Sequence, residues 1–349
     1  KMSEANRKKA KKPAVIAAIT TLIVVVVILA AGGIYTLYLL GLVNFVDTDK
    51  DGFESSFSEP VNESELIDPD IEDFVPDDPV SINDVAKSVE DIAVQGNTKV
   101  ITNILLLGIE TDNKDNYKGR SDTVIIMSIN KHTKKIKLIS LLRDTYVTIP
   151  DWGRDKLTHA FSYGGFSLLS KTIELNFKLK IDKFVAVNFA AFSEIVDAMG
   201  GVDIELTERE AEILNLGRQA KAYHLDGKHA LDYARIRKIG DDWGRTSRQR
   251  NVLKALANKA KGMSQLEYPK ILNKVLSRVS TNMSEGEFLG YLASAPSYLK
   301  YEIEEYHHPT RSECRGVTVP LPRSKYYMQA IEIINPKQTV LNLHHEIYG

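Results

Sequence analysis

Cysteine is almost missing from this 349-residue chain: Cys314 stands alone, so neither an internal disulfide nor a cysteine metal cluster can form. Histidine is also scarce. The eight histidines contain no HExxH pair, and His307 and His308 are adjacent, an awkward spacing for one metal on a regular element. A zinc hydrolase is therefore disfavoured. The chain has no GxSxG, no P-loop and no complete GxGxxG, the minimal parts of serine hydrolases, nucleotide triphosphatases and dinucleotide-binding domains.

Charge is missing altogether from Ala14 to Val43. A membrane core of about 30 Å needs about 20 helical residues, so this stretch is long enough to span. It exceeds the apolar core of a signal peptide, and a retained anchor is the expectation. Arg7, Lys8, Lys9, Lys11 and Lys12 precede it and Asp47, Asp49 and Asp51 follow, which predicts a cytoplasmic N-terminus and an outward-facing remainder. The expected organisation is a basic cytoplasmic segment over 1–13, a transmembrane helix over 14–43, an acidic stalk over 44–97 and a folded domain over 98–349.

The net charge of -1 conceals a strong asymmetry. Residues 47–95 carry sixteen acids against two lysines, with Pro60, Pro69, Pro76 and Pro79 among them, the composition of a self-repelling spacer. Near the domain, Ile82, Val85, Val89 and Ile92 approximate a helical stripe. Residues 96–349 are left with a net charge of +8. That suits an anionic ligand or a merely solvated surface, and charge alone does not choose between them.

Strand-like runs occupy 101–109, 123–129, 136–142 and 146–149, with NKHTKK (130–135) as a hairpin turn. Helical patterns follow at 165–177, 189–199 and 247–261. Mixed strands and helices in one continuous region predict an α/β or α+β domain.

The first strand runs into GIETDN and the second begins in GRSDT, so a reversal between them brings Glu110 and Asp122 to one sheet edge. The third strand returns through the hairpin and delivers Arg143 to the same edge. Two carboxylates beside arginines suit Mg²⁺ holding phosphate oxygens, or equally an ordinary arginine–carboxylate network. A denser cluster lies in YARIRKIGDDWGRTSRQR (233–250), where Arg235 and Arg237 share a face if the segment is extended. Ser247 is the expected cap of the next helix, which would set Arg245 and Arg248 where backbone N–H groups attract an anion. A solvated arginine face is the plainer alternative.

Taken in order, ILLLGIE, GRSDT, SLLRDTYV, KLTHAFSYGG, VNFAAFSEIVDAMGGVDIEL, YHLDGKHALDYARIR and DDWGRTSRQR resemble the LytR-CpsA-Psr family from about residue 98 onward. The resemblance implies a mixed-sheet α-β-α domain of the α/β class with a hydrophobic tunnel for a polyprenyl tail. It also implies Mg²⁺-dependent (or Mn²⁺-dependent) transfer of teichoic acid, capsule or a similar glycopolymer from a polyprenyl-pyrophosphate donor to peptidoglycan, at the cytoplasmic membrane. Metal ligands then fall on Glu110 and Asp122. Pyrophosphate-binding residues fall on Arg120, Arg143, Lys156, Arg235, Arg237, Arg245 and Gln249. Arg143, Asp242 and Arg245 are the expected catalytic set, with Asp242 as base for the acceptor hydroxyl. Glu110 and Leu142 stand where the family usually has Asp and Pro.

The tail-binding groove is expected between the sheet and helices around 166–177 and 189–199. A membrane-tethered nucleic-acid binder is disfavoured, because an outward domain does not meet chromosomal DNA; no nucleic-acid partner is expected. A pyrophosphate hydrolase and a non-catalytic wall-binding module remain as alternatives.

Overall fold

The computed structural model describes residues 38–48, 82–110, 119–263, 273–321 and 327–349, divided between two compact units, Lys1–Val43 and Asn44–Gly349. Of the first unit only residues 38–43 are described, and residues 38–40 are helical. The expected basic segment, almost all of the expected span and residues 49–81 of the expected stalk lie outside the described residues. No helix among the described residues is long and apolar enough to cross a membrane.

The second unit is a mixed α/β fold. Its strands are β1 (Asn44–Phe45), β2 (Ile101–Ile109), β3 (Ser121–Asn130), β4 (Lys135–Leu141), β5 (Tyr146–Ile149), β6 (Gly153–Lys156), β7 (Phe184–Asn188), β8 (Val202–Leu206), β9 (Lys221–Leu225), β10 (Ser280–Thr281), β11 (Glu302–His308), β12 (Cys314–Pro320) and β13 (Tyr327–Ile333). Its helices are α1 (Val85–Ser88), α2 (Leu157–Phe177), α3 (Phe189–Ala198), α4 (Glu208–Ile213), α5 (Gly227–Ala234), α6 (Asp242–Gly262), α7 (Glu285–Tyr298) and α8 (Pro336–Tyr348). Seven strands form one sheet in the order β1-β10-β7-β2-β3-β4-β11. β2, β3 and β4 run antiparallel, joined by the expected hairpin, while β7 lies parallel to β2 and β11 parallel to β4.

Alternation along the strands divides the sheet into two unlike faces. Leu105, Leu107 and Ile109 of β2, Val124 and Ile126 of β3, and Phe184 and Ala186 of β7 pack with α2, α1 and α8 in the main core. The stripe read near residue 82 contributes here: Val85 and Val89 are buried in this core and Ile92 packs against it. A separate apolar cluster joins α3, α4, α5 and α6 to the β8–β9 hairpin.

α2 begins eight residues before the expected helix, and its axis breaks at Gly164–Gly165. Gly165 adopts φ 59°, a left-handed conformation that favours glycine. The first turn has no side-chain cap. Instead, the N–H groups of Leu157 and Thr158 donate to the carbonyls of Thr145 and Arg143, which ties the helix to the strand end carrying Arg143.

The expected cap at Ser247 is wrong. α6 starts at Asp242, and Asp241 is the cap, its carboxylate accepting from the Gly244 N–H. The first turn of α6 carries no apolar stripe; Arg245, Arg248 and Arg250 are buried instead, Arg248 and Arg250 through hydrogen bonds and Arg245 against the Asp242 charge, and hydrophobic periodicity does not register them.

Candidate active site

Between the sheet and the second apolar cluster lies a cavity of about 780 Å³. Its sheet wall is built mainly of the alternate residues, Leu106 and Gly108 from β2, Thr123 and Ile125 from β3, Val185 and Val187 from β7, with Leu107 also bordering it. Phe189, Phe192, Ile213, Leu231 and Leu253 close it from the helices. Gly108 keeps this wall open, since a Cβ there would stand 2.9 Å from the Thr123 side chain.

Half of the expected groove is therefore misplaced. Phe189 and Phe192 line the cavity, but the 166–177 half of α2 packs on the opposite face of the sheet, where Phe166, Leu169, Ile173 and Phe177 are core.

The polar end of the cavity is set by a bulge in β3. Gly108 pairs with Thr123 but Ile109 pairs with Ser121, so Asp122 is the additional residue. Strict alternation would turn Asp122 away from the side that Thr123 occupies; the bulge places it on the same wall. Glu110 extends β2 on that wall and its N–H donates to the Arg120 carbonyl, closing the strand pair. Both carboxylates thus meet the cavity.

Arginines meet them there. Arg143 donates to Asp122 at 2.7 Å, Arg237 reaches the other Asp122 oxygen at 3.4 Å, and Arg120 donates to Glu110 Oε2 through Nε (3.0 Å) and NH2 (2.7 Å). Burial alone would raise the Asp122 pKa, but Arg143 and Arg245 hold it below the usual carboxylate range. Arg235 stacks 4.4 Å over the Phe189 ring as it enters the cavity.

From α6, Arg245, Gln249 and Leu253 line the wall at successive turns. Buried polar atoms normally find partners, yet among the described residues Arg245 Nε and Gln249 Oε1 have none. Arg245 NH2 lies 2.8 Å from Asp242 Oδ1, a charge contact without hydrogen-bond alignment. A cationic donor with an unused N–H at the end of an apolar cavity is suited to an anion carried on a hydrophobic tail.

Among the described residues, the cavity wall does not include Arg120, Arg143, Lys156 or Asp242. These stand behind it. Arg143 Nε is 3.3 Å from Asp144 and 4.0 Å from Asp242, and Lys156 Nζ is 3.2 Å from Asp144. Burial opposes the Arg143 charge, but Asp144, Asp122 and Asp242 keep it firmly cationic. Burial and the adjacent Asp144 push Asp242 up to about 7.

Arg248 is not part of an anion cradle. It donates to Glu210 at 2.8 Å and to the Ile236 and Ile239 carbonyls, fixing the segment that carries Arg237. The sequence reading missed Asp144 completely; its only signal is its position immediately after Arg143.

The sequence profile of the LytR_cpsA_psr family matches residues 77–333. The chain is 37% identical over 196 residues to the polyisoprenyl-teichoic acid–peptidoglycan teichoic acid transferase TagU of Enterococcus faecalis, covering 54% of this chain and 63% of that protein. It is 32% identical over 220 residues to the corresponding transferase TagT of Bacillus subtilis, covering 59% and 68%. The chain thus spans less than two thirds of the first of these relatives. Among solved structures, TagT bound to LI-WTA superposes with a TM-score of 0.56 at 27% identity, over 71% of this chain and 91% of that one. A LytR-CPS2A-psr family protein, YwtF (TagT), with bound octaprenyl pyrophosphate lipid gives 0.53 at 26%, over 71% and 91%.

Proposed function

The chain belongs to the LytR_cpsA_psr family, and from that premise we propose that it transfers a glycopolymer from a polyprenyl-pyrophosphate carrier to a peptidoglycan hydroxyl, forming a phosphodiester. One observation carries the reading: the apolar cavity ends where Arg235, Arg237 and Arg245 converge, with Arg245 Nε buried and unpartnered among the described residues. An isoprenoid tail fills the apolar part, and the pyrophosphate supplies the missing acceptor. The teichoic-acid transferases and the octaprenyl-pyrophosphate complex among the relatives support the same donor class.

In this mechanism the three wall arginines bind the pyrophosphate and stabilise the charge that develops on departing polyprenyl phosphate. The cavity holds the tail, which fixes the donor in line for attack. Arg143 anchors Asp122 from behind and keeps its charge uncompromised by burial. Asp242, raised to about 7 by burial and Asp144 and held beside Arg143 and Arg245, receives the proton of the acceptor hydroxyl at the edge of the site.

Glu110 and Asp122 fit a Mg²⁺ ion, or Mn²⁺, because two carboxylates plus phosphate oxygens and water form the usual hard-cation set, and Glu110 Oε1 carries no hydrogen bond among the described residues. When bound, the metal neutralises pyrophosphate charge. We place the reaction outside the cytoplasmic membrane, with residues 14–43 as the anchor; this rests on the charge pattern of the sequence.

The test is incubation of the full chain with a polyprenyl-pyrophosphoryl saccharide and peptidoglycan fragments, with Mg²⁺ or EDTA, followed by mass spectrometry. A phosphodiester-linked conjugate that disappears in the Arg237→Ala protein is expected. Free saccharide phosphate would replace transfer by hydrolysis, and intact bound donor would reduce the protein to a binding module.

A further inference from the structure

Behind the cavity wall, Asp144 joins three groups that would otherwise act separately. Its backbone is held on both sides: the Ile331 N–H donates to its carbonyl at 2.8 Å, and the neighbouring Arg143 and Thr145 carbonyls accept from the first turn of α2. Its carboxylate contacts Arg143 Nε at 3.3 Å and Lys156 Nζ at 3.2 Å, and it shares Arg143 Nε with Asp242. Asp242 in turn lies 2.8 Å from Arg245 NH2 and 4.0 Å from Arg143 Nε. Asp122 occupies the far side of Arg143, at the cavity. Three carboxylates and three cations therefore interlock between the cavity and the start of α6, and Asp144 is the acid that reaches neither the cavity wall nor a helix end.

We propose that Asp144 is a positioning residue for the transfer reaction, fixing Arg143 and Lys156 and making Asp242 the proton acceptor for the attacking hydroxyl, an inference that rests on the transferase reading above. In the step so described, the hydroxyl oxygen bonds to the glycan-side phosphorus of the pyrophosphate. The bond from that phosphorus to the bridging oxygen breaks, its electron pair leaves with polyprenyl phosphate, and the hydroxyl proton passes to the Asp242 carboxylate.

Asp144 acts through charge and geometry together. Burial would raise its own pKa, but Arg143 and Lys156 outweigh burial and keep Asp144 ionised; that negative charge, with burial, raises the proton affinity of Asp242, which becomes the free carboxylate able to take a proton only above about pH 7. The groups facing the pair are Arg143 and Lys156 from the strand ends and Arg245 from α6, with Asp122 beyond Arg143. Without Asp144, the arginines would drag the proton affinity of Asp242 down and weaken it as a base.

The experiment measures initial transfer rates of the full chain from about pH 5 to about pH 9 for wild type, Asp144→Asn and Asp144→Glu, using a polyprenyl-pyrophosphoryl disaccharide donor. Asp144→Asn is expected to lower kcat about tenfold, leave the donor KM within about twofold, and move the acid limb down by about one pH unit, with Asp144→Glu recovering part of each. An unmoved acid limb, or a loss confined to KM, would overturn the proposal. If Asp144→Asn does not fold, carboxyl ¹³C titration of the wild-type chain decides: one aspartate of the pair titrating near pH 7 is expected, and two ordinary carboxylates refute it. Failure of wild type to form any conjugate would defeat the transferase reading, whereas a wild type that transfers beside an Asp144→Asn protein with an unchanged pH profile would defeat this inference alone.

Discussion

The two faces of the seven-stranded sheet are made from the same strands, yet one is filled with side chains and the other is left open. On the α2 face, Leu105, Leu107 and Ile109 are buried to completion against helical partners. On the other, Leu106 and Gly108 border empty volume and Glu110 ends in an ionic cluster. Leu105 and Ile109 thus serve stability and Leu106 and Gly108 binding, while Leu107 belongs to the core and also borders the cavity. The difference shows how this fold keeps a large cavity without losing its core: stability comes from one face, and the second apolar cluster holds up the cavity roof independently.

The strongest blow to this division falls on the link between cavity and interior. Arg143→Met takes from the buried Asp122 its shortest cation contact and leaves Asp144 with Lys156 alone, and should cost about 3–5 kcal/mol of stability in urea denaturation, together with loss of donor binding. Leu105→Ala strikes only the packed face; about 2–5 kcal/mol is expected, with donor affinity retained in a titration of the folded protein.

A pH change isolates the packed face in another way. His308, at the end of β11, contacts Glu346 of α8 at 2.7 Å and Glu313 at 3.5 Å. Burial opposes its charge, but the two glutamates win and raise it from 6.5 to about 9. For Glu313, burial pushes upward while His308 and the Thr310 N–H bring it down from 4.5 to about 2. The histidine contribution is complete below pH 6.5 and lost as pH rises through 9; the glutamate contribution is complete above pH 4.5 and lost as pH falls through 2. Thermal melts should therefore fall off on the alkaline side by on the order of 3 kcal/mol at most, and His308→Gln should flatten that limb.

The smallest stability effect is expected for Leu106→Ala, about 1 kcal/mol or less, accompanied by weaker polyprenyl binding because the residue borders the cavity rather than the core. Equal costs for Leu105→Ala and Leu106→Ala would remove the distinction between the faces.

The sequence made the local part of this arrangement visible. The apolar run 101–109, the β-rich run 123–129 and the alternating run 136–142, with the NKHTKK turn, located β2, β3 and β4, and their antiparallel order brings Glu110, Asp122 and Arg143 to one end. The remainder depends on contacts distant in sequence. Nothing in the periodicity of 184–188 or 302–308 identifies β2 and β4 as their parallel neighbours. The side of the sheet that α2 covers is likewise fixed by packing, and so the 166–177 half of the groove was expected on the wrong face while the 189–199 half lines the cavity. Asp241 and Ser247 are both cap-type residues, and the turn between them, with Arg245 buried beside Asp242, gave no apolar stripe to separate the two. Asp144 escaped because its importance lies in Lys156 and Asp242, 12 and 98 positions away in the sequence.

The bulge at Asp122 changes how closely functional groups can be spaced. On a regular strand, side chains of one face recur every second residue, roughly 7 Å apart. With the additional residue, consecutive Asp122 and Thr123 open onto the same cavity, at about half that interval by the same geometry. The sheet edge therefore sets a carboxylate and a hydroxyl side by side on one wall of the cavity, a density of polar groups that an unbroken β-ladder does not provide.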